Sequence, residues 1–202
     1  MASSKHASLH DVELAALAAA GDRPAFGELV RRHGSAVRGL LRRMGAEASL
    51  ADDLAQDAFL AAFESIADFR GEGTFSAWVR RIAARLYVKR WRKDGRLEFA
   101  QDISDDPQSE IATDGEGAVA NRIDLDEALK GLGETERMCI SLCYGAGLSH
   151  AEAAEALNAP LGTVKSHVKR GLDKLRSRLA PPEGGGGRPF SQSSGADAYG
   201  RS

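Results

Sequence analysis

The 202-residue chain has few cysteines, few aromatic residues and no long apolar run. It contains two cysteines, and only 6% of its residues are Phe, Trp or Tyr. Strands favour aromatic and β-branched residues, so their scarcity beside abundant Ala and Leu predicts helices. No stretch approaches the roughly 18 apolar residues of a membrane-spanning helix, and the first residues lack the apolar core of a signal peptide. We therefore expect an all-α protein without a membrane span, located in the cytoplasm.

The two cysteines, Cys139 and Cys143, are one helical turn apart in RMCISLCY. A reducing cytoplasm disfavours a disulfide between them. They are either half of a metal site or two small apolar residues on a buried face. The five histidines are scattered, and no further Cys or His stands at a familiar ligand spacing. We therefore favour the buried face and expect neither metal nor cofactor.

Catalytic patterns are equally scarce. No Ser/His/Asp arrangement and no phosphate-binding Gly-rich loop stands out in the sequence. We therefore expect a binding protein rather than an enzyme.

Helical periodicity occupies two regions that a polar, acidic region separates. The patterns in residues 8–97 and 118–180 predict two small helical domains. Between them lies a predicted flexible linker, residues 98–117; from Glu98 to Glu116 it contains seven carboxylates and no Lys or Arg. The Pro-, Gly- and Ser-rich residues 181–202 predict a disordered tail. Fully extended, a linker of about 20 residues spans about 65 Å, or close to 19 base pairs of DNA.

Several residues are predicted to begin or end helices in the first domain. Pro24 suits the first turn of the second helix, and Gly45 suits its C-terminal end. Ser49 and Thr74 are predicted N-caps of the two helices that follow.

The segment LSHAEAAEALNAPLGTVKSHVKR predicts a helix-turn-helix. Ser149 can cap a short helix, and Glu152, three residues later, can complete a capping box. Residues 158–160 break this helix, and a new one is predicted to begin by Thr163. Two short helices joined by a tight turn, the second of them basic, are typical of a DNA-binding motif.

The second helix of this motif concentrates positive charge in a chain whose net charge is −2. Its apolar residues, Val164, Val168, Leu172, Leu175 and Leu179, recur in steps of three and four and predict a buried stripe. Nearly all the charges on the other faces are positive, and they repel one another unless an anion is near. We therefore favour DNA binding over an ordinary solvated face. Arg170 is expected to read a guanine, with Ser166 and Lys169 on the same face. Phosphate contacts are expected from Lys165, His167 and Lys174.

A second basic segment, RRIAARLYVKRWRKDGR, closes the first domain and contains a single acid, Asp94. Its cations predict contact with nucleic acid. Trp91, which stands among them, either stacks on unpaired bases or extends a core stripe formed by Trp78, Ile82 and Leu86. The pattern leaves both alternatives open.

Three stretches together resemble the extracytoplasmic-function (ECF) class of bacterial sigma factors. DDLAQDAFLAAF is similar to the polymerase-binding helix of that family, FRGEGTFSAWVRRIA to its promoter-melting segment, and LSHAEAAEALNAPLGTVKSHVKRGLDKLR to its C-terminal helix-turn-helix. The stretches cover both predicted domains in the family's order. The resemblance implies an alternative sigma factor that binds core RNA polymerase and directs it to specific promoters, in a stress or envelope response.

The resemblance also implies roles for particular residues. Asp53, Gln56 and Asp57 would face a coiled coil of the largest polymerase subunit. The loop from Asp68 to Phe75 would capture a base flipped out of the melted −10 element, which costs a few kcal/mol of unstacking. The implied contacts to the −10 element are Phe69, Arg70, Thr74, Phe75, Arg80, Arg81, Arg85, Lys89 and Arg92. The C-terminal domain would read the −35 element as a duplex, and an anti-sigma factor would be a regulatory partner.

The chain departs from the family pattern at several positions. Arg85 and Lys89 stand where many members have Asn and Asp, which implies an altered −10 preference. His167 stands where Arg is frequent, and Gly171 where Ala is frequent. A glycine at position 171 would weaken the recognition helix by up to ~1 kcal/mol relative to alanine.

Two other interpretations are open at this point. A conventional helix-turn-helix regulator would act without polymerase exchange and bind duplex DNA by itself. The acidic helix around residues 53–57 and the basic helix of the first domain argue against it. An enzyme with a regulatory DNA-binding tail would need a ligand pocket with perturbed carboxylates in the first domain.

Overall fold

The computed structural model describes residues 6–94 and 119–179, except for the side chains of residues 119–124, and the regular structure in these ranges is helical. The N-terminal helices are α1 (Asp11–Ala19), α2 (Arg23–Met44), α3 (Ala48–Glu64) and α4 (Phe75–Lys93). The C-terminal helices are α5 (Val119–Lys130), α6 (Glu134–Ile140), α7 (His150–Leu157) and α8 (Leu161–Leu179). The all-α prediction is confirmed. The predicted linker and tail lie outside the described residues, and the domain boundaries stay predictions.

The first-domain helix ends follow the predicted caps with one exception. Pro24 lies in the first turn of α2, and Gly45 ends that helix in the left-handed region, with φ of 111°. Thr74 caps α4 by accepting a hydrogen bond from a backbone N–H of its first turn. The Ser49 prediction is wrong: Ser49 lies inside α3, whose N-cap is Glu47. The helix starts earlier because Ala48, a strong helix former, already continues it.

The N-terminal helices pack around a cluster of phenylalanines. Phe26 of α2 contacts Phe59 and Phe63 of α3 and Phe75 of α4, with ring centroids 5.0 to 6.5 Å apart and edge-on geometry. Edge-to-face pairs of this kind contribute about 0.5–1.5 kcal/mol beyond the apolar area they bury. The cluster therefore fixes α3 and α4, the two helices with predicted functional residues, relative to α2.

A charged network joins α1 to α2. Glu28 is 7% exposed, and its carboxylate accepts hydrogen bonds from the guanidinium groups of Arg31 and Arg32 at 2.6–2.8 Å. Arg32 also donates to Asp11 of α1 at 3.0 Å. The hydrogen bonds from Arg31 and then Arg32 lower the pKa of Glu28 to about 2. The ionised carboxylate is thus the form that the fold stabilises.

One hydrophobic core passes through both halves of the described chain. Met138 and Leu142 belong to the same buried cluster as Leu41 of α2 and Val88 of α4. A smaller cluster lies between α5, α6 and α8 and contains Ala128, Leu129, Leu132, Ile140 and Leu175. The sequence pattern predicts two domains, but it does not predict that one packs directly against the other.

The chain between α6 and α7 makes a single π-helical turn, Ser141–Gly145. The Ala146 N–H donates to the Ser141 carbonyl, five residues earlier, at 2.9 Å. Such turns are rare and frequently occur at functional sites. This one brings Gly145 against α2: a Cβ placed on Gly145 would lie 2.6 Å from Cδ1 of Leu40. The contact therefore requires a residue without a side chain.

Candidate nucleic-acid interface

Helices α7 and α8 form the predicted helix-turn-helix. The capping box is confirmed, because Ser149 Oγ accepts from the Glu152 N–H at 3.2 Å and the Glu152 carboxylate accepts from the Ser149 N–H at 2.8 Å. Asn158 ends α7 in the left-handed region, with φ of 52°. Helix α8 then begins at Leu161, in agreement with a start by Thr163.

The apolar stripe of α8 packs against the rest of the C-terminal domain. Its buried residues are Val164, Val168 and Leu175. Leu172 is half-buried and Leu179 is 44% exposed, so the stripe ends one turn earlier than predicted. Gly171 lies against α6, where a Cβ would meet Cδ1 of Ile140 at 2.5 Å. The glycine at this position thus has a packing reason that the helix pattern alone does not reveal.

The predicted −35 contacts are distributed over the outer faces of α8. Lys165, Lys169 and Lys174 are exposed, and Ser166, His167 and Arg170 are half-buried. Arg170 Nη2 lies 3.3 Å from Nδ1 of His167. Lys174 donates to both carboxylate oxygens of Glu136, at 2.7 and 2.8 Å. Burial raises the pKa of Glu136, but the hydrogen bonds from Lys174 and from the Gly133 N–H, with the charges of Lys174 and Arg170, together outweigh it and leave the pKa below its usual value.

An aromatic pair lies beside the Gly-rich loop that precedes α4. Gly71 and Gly73 in this loop have φ of 75° and 91°, values that favour glycine. Phe69 is half-buried, and its ring centroid lies 5.6 Å from that of Phe75 and 5.4 Å from that of Trp78, which is also half-buried. Partly exposed rings next to an exposed loop offer a surface on which an unpaired base can stack.

The predicted −10 contacts separate into exposed and inward positions. Arg70, Thr74, Arg85, Lys89 and Arg92 are exposed, Phe69, Arg80 and Arg81 are half-buried, and Phe75 is buried. Partial burial, and then the charge of Arg43, lower the pKa of Arg80. Trp91 is 3% exposed, and its Nε1 donates to Glu134 of α6 at 2.8 Å. Its position agrees with the core alternative rather than with base stacking.

A third surface lies on α3, where Asp53, Gln56 and Asp57 are exposed together. A groove of about 640 Å³ runs beside them between α2 and α3, and Phe26, Val30, Phe59, Leu60 and Phe63 are among its apolar lining residues. Leu60 is 62% exposed. Sequence reasoning missed this leucine, although its position, four residues after Gln56, places it on the polar face of the helix. The exposed leucine and the apolar lining of the groove together form one continuous apolar surface on the outside of the helix pair.

The cysteines occupy the buried position that the sequence favours. Cys139 is buried and Cys143 is half-buried. Burial raises the pKa of Cys139 to about 12 and that of Cys143 to about 11. In the part of the chain that the structure describes, no group of three or more metal-ligating side chains occurs. No helix among the described residues is both long and apolar enough to cross a membrane.

Comparison with known proteins matches the two halves of the chain to two separate family regions. Residues 29–97 match the family described as Sigma-70 region 2, and residues 128–177 match Sigma-70, region 4. RNA polymerase sigma factor NccH of Alcaligenes xylosoxydans xylosoxydans is 35% identical over 175 residues, which are 84% of this chain and 94% of NccH. ECF RNA polymerase sigma factor SigW of Bacillus subtilis is 33% identical over 173 residues, 79% of this chain and 91% of SigW. A solved structure of CnrH in complex with the cytosolic domain of CnrY covers 84% of this chain and 96% of its own, at 30% identity and a TM-score of 0.49.

The two matched regions, together with the basic helices α4 and α8, define a transcription initiation factor of the sigma-70 type. Within that type, the chain belongs to the ECF class of RNA polymerase sigma factors. It is an alternative sigma factor that directs RNA polymerase to promoters, and the conventional regulator acting without polymerase is set aside.

Proposed function

We propose that the chain acts in the cytoplasm as a dissociable subunit of RNA polymerase, without catalytic chemistry of its own, in a stress or envelope response. Three surfaces on different helices have separate roles. Helix α3 docks on the core enzyme, the Gly-rich loop and α4 hold the melted −10 element, and α8 reads the −35 element. The observation that carries the proposal is that one chain has both a helix-turn-helix and an exposed acidic and apolar face on α3. A regulator that acts alone needs the helix-turn-helix but not the second face.

Core RNA polymerase docks on α3 through Asp53, Gln56 and Asp57, with Leu60 as an apolar anchor. Binding energy at protein interfaces concentrates in a few central apolar residues, while charges at the rim guide association. The exposed leucine beside three polar side chains has this arrangement. We therefore assign affinity to Leu60 and orientation to the polar residues around it.

The −10 element is held by the Gly-rich loop and by α4. A flipped base enters the loop and stacks on the half-buried pair Phe69 and Trp78, while the buried Phe75 supports Phe69 from below. The exposed side chains of Arg70, Thr74, Arg85, Lys89 and Arg92, together with Arg80 and Arg81, contact the backbone of the single strand.

The −35 element is read in the major groove by α8. Arg170, Ser166 and Lys169 face the base edges, and Lys165 and His167 contact phosphates. Lys174 stands apart, because both carboxylate oxygens of Glu136 already accept from its ammonium group. We assign it to fixing α8 on α6. An anti-sigma factor is the proposed regulatory partner, as family membership implies.

Core binding tests the proposal most directly. Leu60→Asp places a charge at the centre of the docking face and should weaken binding to core RNA polymerase at least about tenfold, the equivalent of about 1.4 kcal/mol. Leu17→Asp is the matched control, because Leu17 is 37% exposed and lies on α1, away from the groove. Affinity is measured by titrating core enzyme with labelled protein, and start sites are mapped by in-vitro transcription with core enzyme on genomic DNA. A wild-type chain that does not join the core enzyme, or that leaves its start sites unchanged, contradicts the proposal.

A further inference from the structure

We propose that Leu161, the first residue of α8, reads a thymine of the −35 element through the 5-methyl group of that base. Leu161 is then a specificity-determining residue beside the three residues already assigned to the base edges. The inference rests on the proposed function, because the position of α8 in the major groove is itself proposed. Its evidence is the exposure of Leu161, its place in the helix-turn-helix and the chemistry of its side chain.

Leu161 does not belong to the buried apolar stripe of α8. It is 43% exposed, whereas Val164 and Val168, the first residues of the stripe, are 0% and 2% exposed. Residues four apart share a helix face, so Leu161 lies on the side of Lys165, which is also exposed. An apolar side chain therefore stands in line with a cation that is expected to contact a phosphate.

The start of α8 is open on its outer side. Asn158 ends α7 in the left-handed region, and α8 begins at Leu161. Gly162, the second residue of α8, is exposed, and a Cβ placed on it would meet nothing within 4 Å among the described residues beyond its own helical turn. Gly171 differs, because Ile140 occupies the place of its Cβ. A second molecule can therefore approach the backbone closely next to Leu161.

The chemistry of leucine selects one base. In helix-turn-helix proteins, the N-terminal residues of the second helix contact base edges in the major groove. The side chain of leucine has no hydrogen-bond donor or acceptor, and thymine is the one base that presents a methyl group in that groove. Contact with this methyl group removes apolar surface of both partners from water. Contact with the amino or carbonyl group of another base would leave a polar group unpaired, which costs affinity.

Deoxyuridine tests the contact directly, because it pairs as thymidine does and lacks only the methyl group. On a promoter whose start site has been mapped, each thymine of the −35 element, on either strand, is replaced in turn. The equilibrium affinity of the holoenzyme, core RNA polymerase with the full chain, is measured for each labelled duplex. With the wild-type chain, one replacement should lower the affinity about fourfold, the effect of exposing one methyl-sized group.

Leu161→Ala should lower the affinity for the unmodified promoter by at least about the same factor and abolish the response to that deoxyuridine. The two losses should not add, since both changes remove the same contact. Alanine is a strong helix former, so α8 is retained. Leu161→Met, which keeps an apolar side chain of similar volume, should preserve the response.

Leu179→Ala is the matched control. It is the same substitution in the same helix, at a leucine that is 44% exposed, and the helical rise places it about 27 Å from Leu161. This variant should retain both the affinity of the wild-type holoenzyme and its response to deoxyuridine.

The inference is overturned if the wild-type holoenzyme responds to no deoxyuridine in the −35 element, if the element contains no A·T pair, or if Leu161→Ala responds as the wild type does. It is also overturned if Leu161→Ala weakens binding to core RNA polymerase in the absence of DNA, because Leu161 then faces the polymerase. Failure of the proposed function looks different: exchange of whole base pairs in the −35 element leaves the wild-type affinity unchanged. A holoenzyme that responds to whole base pairs but not to the methyl group refutes the inference alone.

Discussion

Gly171→Ala tests whether helix propensity or packing decides the stability of the recognition helix. Propensity alone predicts that alanine stabilises α8 by up to ~1 kcal/mol. The structure predicts the opposite, because a Cβ at position 171 would lie 2.5 Å from Cδ1 of Ile140 and 3.4 Å from Cβ of Glu136. Ile140 is 5% exposed and is packed within the second hydrophobic cluster, so its methyl group has little space to move.

The magnitudes follow from these contacts. Overpacking of this kind costs about 1–3 kcal/mol, which exceeds the helix gain and leaves Gly171→Ala less stable by about 0–2 kcal/mol. Ile140→Val removes the colliding methyl group and alone costs about 0.5–1.5 kcal/mol. In the double variant the alanine methyl fills part of the vacated space and the helix gain is realised. We therefore expect the double variant to be about as stable as the wild type, with a coupling free energy of about 0.5–3.5 kcal/mol, equal to the sum of the two single losses.

Urea unfolding of the full chain, followed by circular dichroism, measures all four proteins of this cycle. The midpoint should fall for each single variant and return in the double variant. A Gly171→Ala chain that unfolds at higher urea than the wild type would refute the packing argument. So would a double variant whose loss equals the sum of the single losses.

Three further outcomes follow from the structure. The stabilisation that Glu28 provides is complete above its unfolded pKa, near 4.5, and is lost as the pH falls towards its folded pKa of about 2. In Glu28→Gln, the urea concentration at the unfolding midpoint should therefore depend less on pH in that range than it does in the wild type. Cys139 and Cys143, with pKa values raised by burial, should react with a thiol reagent at neutral pH only as fast as the chain unfolds; rapid labelling of the native chain would contradict this. Arg170→Ala should relax specificity at one base pair of the −35 element by about 1–3 kcal/mol, measured by transcription from variant promoters. Arg176→Ala is the control and should leave specificity unchanged, because the Arg176 side chain pairs with Asp173 in the wild type.

The helices were predictable because their signals are local. The periodic stripe of α8, the Ser149 and Glu152 capping box and the Thr74 cap all depend on residues within a few positions of one another. Ser49 misled the prediction because serine is a preferred N-cap residue, whereas the helix already starts two residues earlier, after Glu47, with the strong helix former Ala48.

Contacts between distant residues were not predictable. The order of the two domains follows from the motifs, but the packing of Gly145 on Leu40 depends on a π-helical turn without a sequence signature. The ion pair of Lys174 was not predictable either, because its partner, Glu136, lies on another helix. In the same way, Trp91 was ambiguous because the pattern of its own helix does not show what covers its outer side.

The buried cluster that spans both halves has a consequence for how the molecule comes apart. Neither half can melt without uncovering an apolar face of the other, so heating should produce one transition rather than two. A protease that cuts the backbone between residues 95 and 118 would leave two fragments that stay bound to each other. Such a nicked pair would remain together at high concentration and separate on dilution, because the connection no longer supplies an effective local concentration.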